Sequence, residues 1–250
     1  LKANNTKFIP VDSEHFSIFE LLNEEKNLSL KKIIITASGG PFLNKKKNNK
    51  ITVKQALSHP NWKMGKKITI DSSTLMNKVF EVIEANKIFN FDKKKYRIMI
   101  HPQSYVHSII RFKNAMTKMI LYNPDMKIPI SNILNVKINN LLKVKKISAR
   151  TLSQLSFQKV NEKRFPSIRL INKCLKSGPS TSIIVNASNE VLVDNFLKGK
   201  IQFLDIVKKI NMIFKDKDFK KYARRKTESI NDIKITDNWA RLKTIHMCVR

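Results

Sequence analysis

Residues 66–84, KKITIDSSTLMNKVFEVIE, decide how the rest of the chain is read. Ile68, Thr69 and Ile70 form a short β-branched run suited to a strand. Asp71, Ser72, Ser73 and Thr74 follow, the residue types that cap a helix N-terminus. From Leu75 onward the apolar positions Leu75, Val79, Val82 and Ile83 recur at helical spacing. On that helix Asn77, Lys78, Glu81 and Glu84 lie three or four apart and share roughly one face. A carboxylate, an amide and an ammonium therefore gather beside a helix mouth whose free N–H groups favour an anion. That layout suits a phosphorylated, metal-bound small molecule. The plainer alternative is a capped amphipathic helix with ordinary surface charges.

Working outward, the 250 residues suffice for one large domain or two small ones with real cores. At 42% hydrophobic residues the composition is globular rather than disordered. No apolar run approaches the ~18 residues needed to span a bilayer, and the opening LKANNTKF has no signal-peptide core. Cys174 and Cys248 are too few for a disulfide framework and lack metal-ligand spacing, which points to a reducing compartment: the cytoplasm, or a plastid stroma in a eukaryote. The chain opens on Leu1 rather than Met, a few residues ahead of a motif, and is expected to be a fragment.

The net charge of +30 invites a nucleic-acid reading. Forty of the 49 basic residues are Lys, however, whereas dedicated phosphate and base readers favour the Arg fork. Lys is also spread from end to end beside abundant Asn and Ile, all three encoded by A/T-rich codons. Base composition accounts for that triplet, so no specific nucleic-acid partner is expected. The field still attracts anionic substrates.

Ile9-Pro10-Val11 reads as the end of an extended segment that delivers Asp12, Ser13, Glu14 and His15. In an extended segment Asp12 and Glu14 point the same way, two carboxylates of a hard-cation site in need of a third ligand. The alternative is a helix N-cap at Asp12 or Ser13, and both can hold together. Residues 31–36, KKIIIT, read as a buried strand running into Ser38-Gly39-Gly40, a turn that lets a ligand approach the backbone closely. The run at 44–50 is a solvated loop tip. The loop HPNWKMG at 59–65 carries an aromatic and a thioether and could close over a ligand as a lid; Trp62 packed into the core is the competing reading. Runs at 97–100, 107–112 and 118–122 look like neighbouring strands, and the last is exposed enough to pair across a dimer. Periodicity weakens over 127–149. Helices are expected at 167–176, 180–199 and 203–214, and the last residues are expected to fray. The fold class is therefore α+β: a mixed open sheet with flanking helices, followed by a C-terminal helical bundle. The expected division is a catalytic, metal- and substrate-binding domain at 1–128, a connector at 129–152 and a helical domain at 153–250.

Five pieces occur together in one order: VDSEH at 11–15, SGGPF at 38–42, HPNWKMG at 59–65, DSSTLMNKVFEVIE at 71–84 and HPQSYVHS at 101–108. This resembles the 1-deoxy-D-xylulose 5-phosphate reductoisomerase family, as do NPDMKIPI at 123–130 and NASNE at 186–190. The resemblance implies that Asp12, Glu14 and Glu81 ligate one Mg²⁺ or Mn²⁺. It implies substrate contacts at Ser13, His59 and Glu81, and a phosphate-binding set of Ser38, Ser72, Asn77 and Lys78. Glu81, Lys78 and His59 become the expected catalytic groups and Trp62 the lid aromatic. Gly65, Met64 and Met126 fall near NADPH. Glu84, His101, Ser104 and His107 become supporting residues.

The implied reaction is the rearrangement of a ketose phosphate followed by hydride delivery from NADPH, giving 2-C-methyl-D-erythritol 4-phosphate in the non-mevalonate isoprenoid pathway; the implied assembly is a homodimer. Three departures stand against the pattern. With five glycines, these residues hold no GxGxxG dinucleotide fingerprint, and the family's preceding NADPH domain and substrate-contacting Lys have no counterpart here. Ala37, Val79 and Phe80 stand where the family tends to Gly, Gly and Leu, and the link from Glu25 to Lys31 is short. Weak metal and phosphate binding without turnover is the expectation for these 250 residues alone. A basic nucleic-acid module and a non-catalytic relic of the enzyme are the alternatives.

Overall fold

The computed structural model describes residues 4–6, 8–23, 29–44, 51–134 and 146–249. Most of the loop tip at 44–50, the start of the short 25–31 link and the middle of the 129–152 connector lie outside the described residues. In chain order the elements are α1 (Ser13–Asn23), β1 (Leu30–Ala37), α2 (Val53–Leu57), α3 (Lys66–Thr74), α4 (Met76–Phe89), β2 (Tyr96–Ile100), β3 (Val106–Phe112), β4 (Thr117–Leu121), α5 (Lys127–Ile133), α6 (Ala149–Ser153), β5 (Gln158–Lys159), α7 (Arg169–Ser177), α8 (Thr181–Leu197), α9 (Asp205–Ile213), α10 (Phe219–Ala223) and α11 (Ile230–Val249). They form two compact units, Leu1–Ser38 with Ile88–Val160, and Gly39–Lys87 with Asn161–Arg250. The architecture is the expected α+β one, an open mixed sheet followed along the chain by helices.

The first unit is built on the sheet, in the order β4-β3-β1-β2-β5. β1 sits at its centre, parallel to β2 (Ile33 opposite Tyr96) and antiparallel to β3 (Ile35 opposite Ser108). Its sequence explains the position: Ile33, Ile34, Ile35 and Ala37 are all buried, a continuous apolar run suited to a strand covered on both faces. Burying each Ile contributes about 1.5–3 kcal/mol. β4 is an edge strand paired only to β3 among the described residues, and Met119 on it is exposed. α1 packs on β3 and β4, with Phe16 edge-on to Tyr122 at 6.2 Å.

The second unit is helical. Ile70, Met76, Val79 and Ile83 from α3 and α4 share one core with Leu170, Leu192, Phe196, Ile206 and Ile210 from the later helices. A second cluster joins Ile184 of α8 to Ile213, Phe219, Trp239 and Ala240. Gly178, at φ +147°, lets the start of α8 lie against the backbone of residue 223: an added Cβ would fall 2.2 Å from the Ala223 carbonyl oxygen.

Three expectations are corrected. Residues 68–70 are not a strand but the middle of α3. Thr69, Ser73 and Thr74 each donate a hydroxyl to a carbonyl one turn back, at 2.8, 3.0 and 3.2 Å, which lets these buried polar side chains sit inside a helix. α3 ends at Leu75, which adopts φ +61°, and α4 begins at the next residue. Residues 127–133, where the periodicity weakens, form a helix, α5. The last described residues, expected to fray, are assigned to a helix: α11 runs for 20 residues, to Val249. Its buried face is formed by Thr236, Trp239, Ala240 and Thr244, a pattern too polar to register as an apolar stripe.

Candidate functional site

In the first unit, Asp12 closes the N-terminus of α1. Its Oδ1 accepts from the backbone N–H of Glu14 at 3.1 Å and of His15 at 3.2 Å, the arrangement of a helix N-cap. Glu14 therefore lies in the first helical turn rather than in an extended segment, and is buried while Asp12 is exposed. The His15 imidazole also meets Asp12 Oδ1, at 3.1 Å. Ser13 Oγ donates to Glu14 Oε2.

Two residues that sequence reasoning did not single out hold this turn from the sheet. The Tyr122 hydroxyl donates to the Ser13 carbonyl at 2.8 Å and lies 3.2 Å from Ser17 Oγ; Ser108 Oγ donates to the Glu14 carbonyl at 2.9 Å. His107, expected as a supporting residue, stacks on the Tyr122 ring at 4.2 Å. Burial pushes the Tyr122 phenol well above its ordinary range; the Ser17 hydrogen bond opposes that rise, and the nearby Glu14 and Asp12 carboxylates add to it. The signal for both lay in alternation: Ser108 and Tyr122 are polar groups at inward positions of otherwise apolar runs. His101 has a structural role, with Nδ1 2.9 Å from the Ser156 carbonyl and Nε2 accepting from Tyr105 N–H. Ser38, just past β1, and Met126, ahead of α5, are half-buried.

In the second unit, α4 presents the expected set. Lys78 Nζ lies 3.0 and 2.8 Å from the two carboxylate oxygens of Glu81, and Asn77 Nδ2 donates to Glu81 Oε1 at 3.2 Å. Both charged side chains are buried, at 7% and 10% exposure, so the pair is held in low-dielectric surroundings. Glu84, on the same helix, is exposed. Ser72 is buried at the end of α3, and Thr74 Oγ1 accepts from Met76 N–H at 3.3 Å, so one of the four expected capping residues does serve the first turn of α4. The close approach at Gly40 is made by protein: a Cβ there would meet the Ser72 carbonyl oxygen at 3.1 Å.

His59, Trp62, Met64 and Gly65 come together around a cleft of about 570 Å³ that also includes Leu57, Ser58, Lys63 and Thr69. Trp62 is half-buried at its wall rather than sealed in the core. His59 Nδ1 accepts from the backbone N–H groups of Asn61 at 3.1 Å and Trp62 at 2.9 Å. Its proton must then sit on Nε2, leaving a donor on the other edge of the ring. Burial, followed by the Lys78 charge, lowers its pKa to about 4, so the ring is neutral at pH 7.

Two family models match the chain: one described as the 1-deoxy-D-xylulose 5-phosphate reductoisomerase C-terminal domain over residues 8–89, the other as the DXP reductoisomerase C-terminal domain over 121–243. The chain belongs to the 1-deoxy-D-xylulose 5-phosphate reductoisomerase family. It is 45% identical to the reductoisomerase of Pelagibacter ubique, over all of this chain and 65% of that protein. It is 41% identical to that of Geotalea daltonii, over 96% of this chain and 62% of the other. The chain thus spans under two thirds of the length of these relatives. Among solved structures, a reductoisomerase complex with NADPH, fosmidomycin and magnesium covers 99% of the chain with a TM-score of 0.91 at 30% identity, and 64% of that structure is matched. The Zymomonas mobilis enzyme in complex with NADPH gives 0.85 at 33%, with 99% and 63% covered.

Proposed function

We propose that this chain carries the catalytic and C-terminal regions of an NADPH-dependent reductoisomerase that converts 1-deoxy-D-xylulose 5-phosphate to 2-C-methyl-D-erythritol 4-phosphate. The observation that carries the reading is the Asn77–Lys78–Glu81 group on α4, with Lys78 and Glu81 buried: an anion donor pair and a carboxylate fixed side by side in a member of this family. By the family resemblance, Asp12, Glu14 and Glu81 supply the carboxylate donor set for one divalent cation. Three hard oxygen ligands fit Mg²⁺ or Mn²⁺. Each is already oriented by protein: Glu81 by Lys78 and Asn77, Glu14 through its backbone by Ser108, and Asp12 by the cap it makes. When bound, the cation supplies Lewis acidity at the substrate carbonyl and NADPH supplies the hydride.

The chain's own residues do the remaining work. Ser38, Ser72, Asn77 and Lys78 hold the phosphate, so binding energy at the distant end orients the reacting carbons. Ser13 and Glu81 touch the substrate near the cation, and neutral His59 offers its Nε2–H to a substrate oxygen. Trp62 closes over the bound molecule and excludes water. Gly65 would meet NADPH, and Met64 and Met126 would lie near its nicotinamide. By sequence, residues 1–128 act as the catalytic domain, with a connector at 129–152 and a helical domain beyond. The protein works in the reducing cytoplasm, as its unpaired Cys174 and Cys248 suit, and dimerises through the open edge of β4.

Titrating Mn²⁺ against the chain by electron paramagnetic resonance tests the reading. Glu81→Gln is expected to weaken binding at least about tenfold, the loss of one carboxylate ligand. Equal affinity in the two proteins would overturn it.

A further inference from the structure

The NASNE segment at 186–190 has no role in the reading above, yet it reaches the junction on which that reading depends. Asn189, on α8 and fully buried, donates from Nδ2 to Asp71 Oδ1 at 2.7 Å. Lys67 Nζ holds the other oxygen at 2.9 Å. Burial raises the pKa of Asp71, while Lys67 and Asn189 counter it, so the carboxylate depends on these two donors. Asp71 directly precedes Ser72. Three residues on, Thr74 offers its carbonyl to Ser167 Oγ at 2.6 Å, and Ser73 Oγ reaches the Ala56 carbonyl at 2.6 Å.

Next along the chain is Leu75, buried at 1% exposure and held at φ +61°. A left-handed conformation costs a non-glycine residue about 1–2 kcal/mol and persists where its surroundings over-determine it. The direction in which α4 leaves α3 is set there, with Ser72 on one side and Asn77 and Lys78 on the other. Asn189 Oδ1 is buried with no hydrogen-bond partner among the described residues. An apolar residue of similar size would avoid that penalty, so packing alone does not explain an amide at this position.

We propose that Asn189 is a positioning residue for the phosphate site: from α8 it fixes Asp71, and through Asp71 the turn at residues 72–75 that aims Asn77 and Lys78. The inference rests on the phosphate reading of Ser72, Asn77 and Lys78. It makes a residue of the C-terminal helical region a determinant of anion affinity.

The test is calorimetric titration of inorganic phosphate into the 250-residue chain, at salt high enough to screen its net charge of +30. Lys78→Ala abolishes the site. Asn189→Ala weakens phosphate binding about tenfold, the value of one hydrogen bond to a charged group. Val193→Ala, buried one turn further along α8, lowers the melting temperature but leaves phosphate affinity within about twofold. Exchanging the partners, Asp71→Asn with Asn189→Asp, restores most of the affinity by reversing donor and acceptor. Should Asn189→Ala not fold, Asn189→Ser answers the same question. Lys78-dependent binding that ignores Asn189→Ala, or that falls equally in Val193→Ala, overturns the inference alone. Wild-type chain with no Lys78-dependent phosphate binding overturns the phosphate reading and the inference with it.

Discussion

Replacing Lys78 by Met strips the ammonium from a carboxylate that has almost no water to turn to. The two side chains are 7% and 10% exposed, with their charged atoms 2.8 Å apart. At an effective dielectric constant of about 20, unit charges at that distance attract by about 6 kcal/mol, most of it offset by the cost of removing both from water. The measurable quantity is the cost of breaking the pair, about 3–5 kcal/mol for a buried one. Asn77 Nδ2 would remain on Glu81, which favours the lower end of that range. Against a typical total stability of about 5–15 kcal/mol, the loss is large. Urea unfolding followed by circular dichroism is the assay. Lys78→Met and Glu81→Gln each lose several kcal/mol, and the double variant recovers much of it, giving a coupling energy of at least about 2 kcal/mol. A single variant costing under about 1 kcal/mol, or a double variant costing the sum of the two, would refute the description of a mutually dependent buried pair.

His59 should stay neutral over the physiological range. The unfolded chain takes up a proton near pH 6.5 that folded His59 refuses until about pH 4, so the stability it contributes is complete above 6.5 and is lost as the pH falls through that window. Imidazole resonances of His59 should be flat from pH 8 to 5; a midpoint near 6.5 contradicts the buried, acceptor-side placement. Gly178→Ala should cost at least about 2–3 kcal/mol in thermal melts, because the new Cβ meets backbone at 2.2 Å rather than a movable side chain; a melting point close to wild type would show that α8 can shift away.

Much of the sheet was legible because strands announce themselves by composition. The KKIIIT run needed burial on both faces and received it at the centre of the sheet. The grouping of Asn77, Lys78 and Glu81 followed from helical spacing alone. What failed was the reading of Asp71–Thr74 as the start of a helix. Ser and Thr are equally at home in a helix interior when their hydroxyls bond back to the preceding turn, and sequence does not say which choice is made. The left-handed Leu75 left no trace either, since Gly or Asn normally marks such a position. α11 was missed because its buried face carries two Thr and an Ala beside Trp239 and so shows no apolar stripe. Tyr122 escaped notice because its importance lies in where the hydroxyl reaches, a fact of tertiary structure rather than pattern.

The abrupt handover from α3 to α4 at Leu75 has a consequence for how this sequence can vary in length. Each residue of helix advances the chain by about 1.5 Å and rotates it by about 100°. Adding or deleting one residue between Ser72 and Asn77 would swing the amide, the ammonium and the carboxylate of α4 round together to a different bearing. The residue count of this segment is therefore held more tightly than the identity of any member that only fills volume, and a gap placed there would turn Asn77, Lys78 and Glu81 away from the bearing described above.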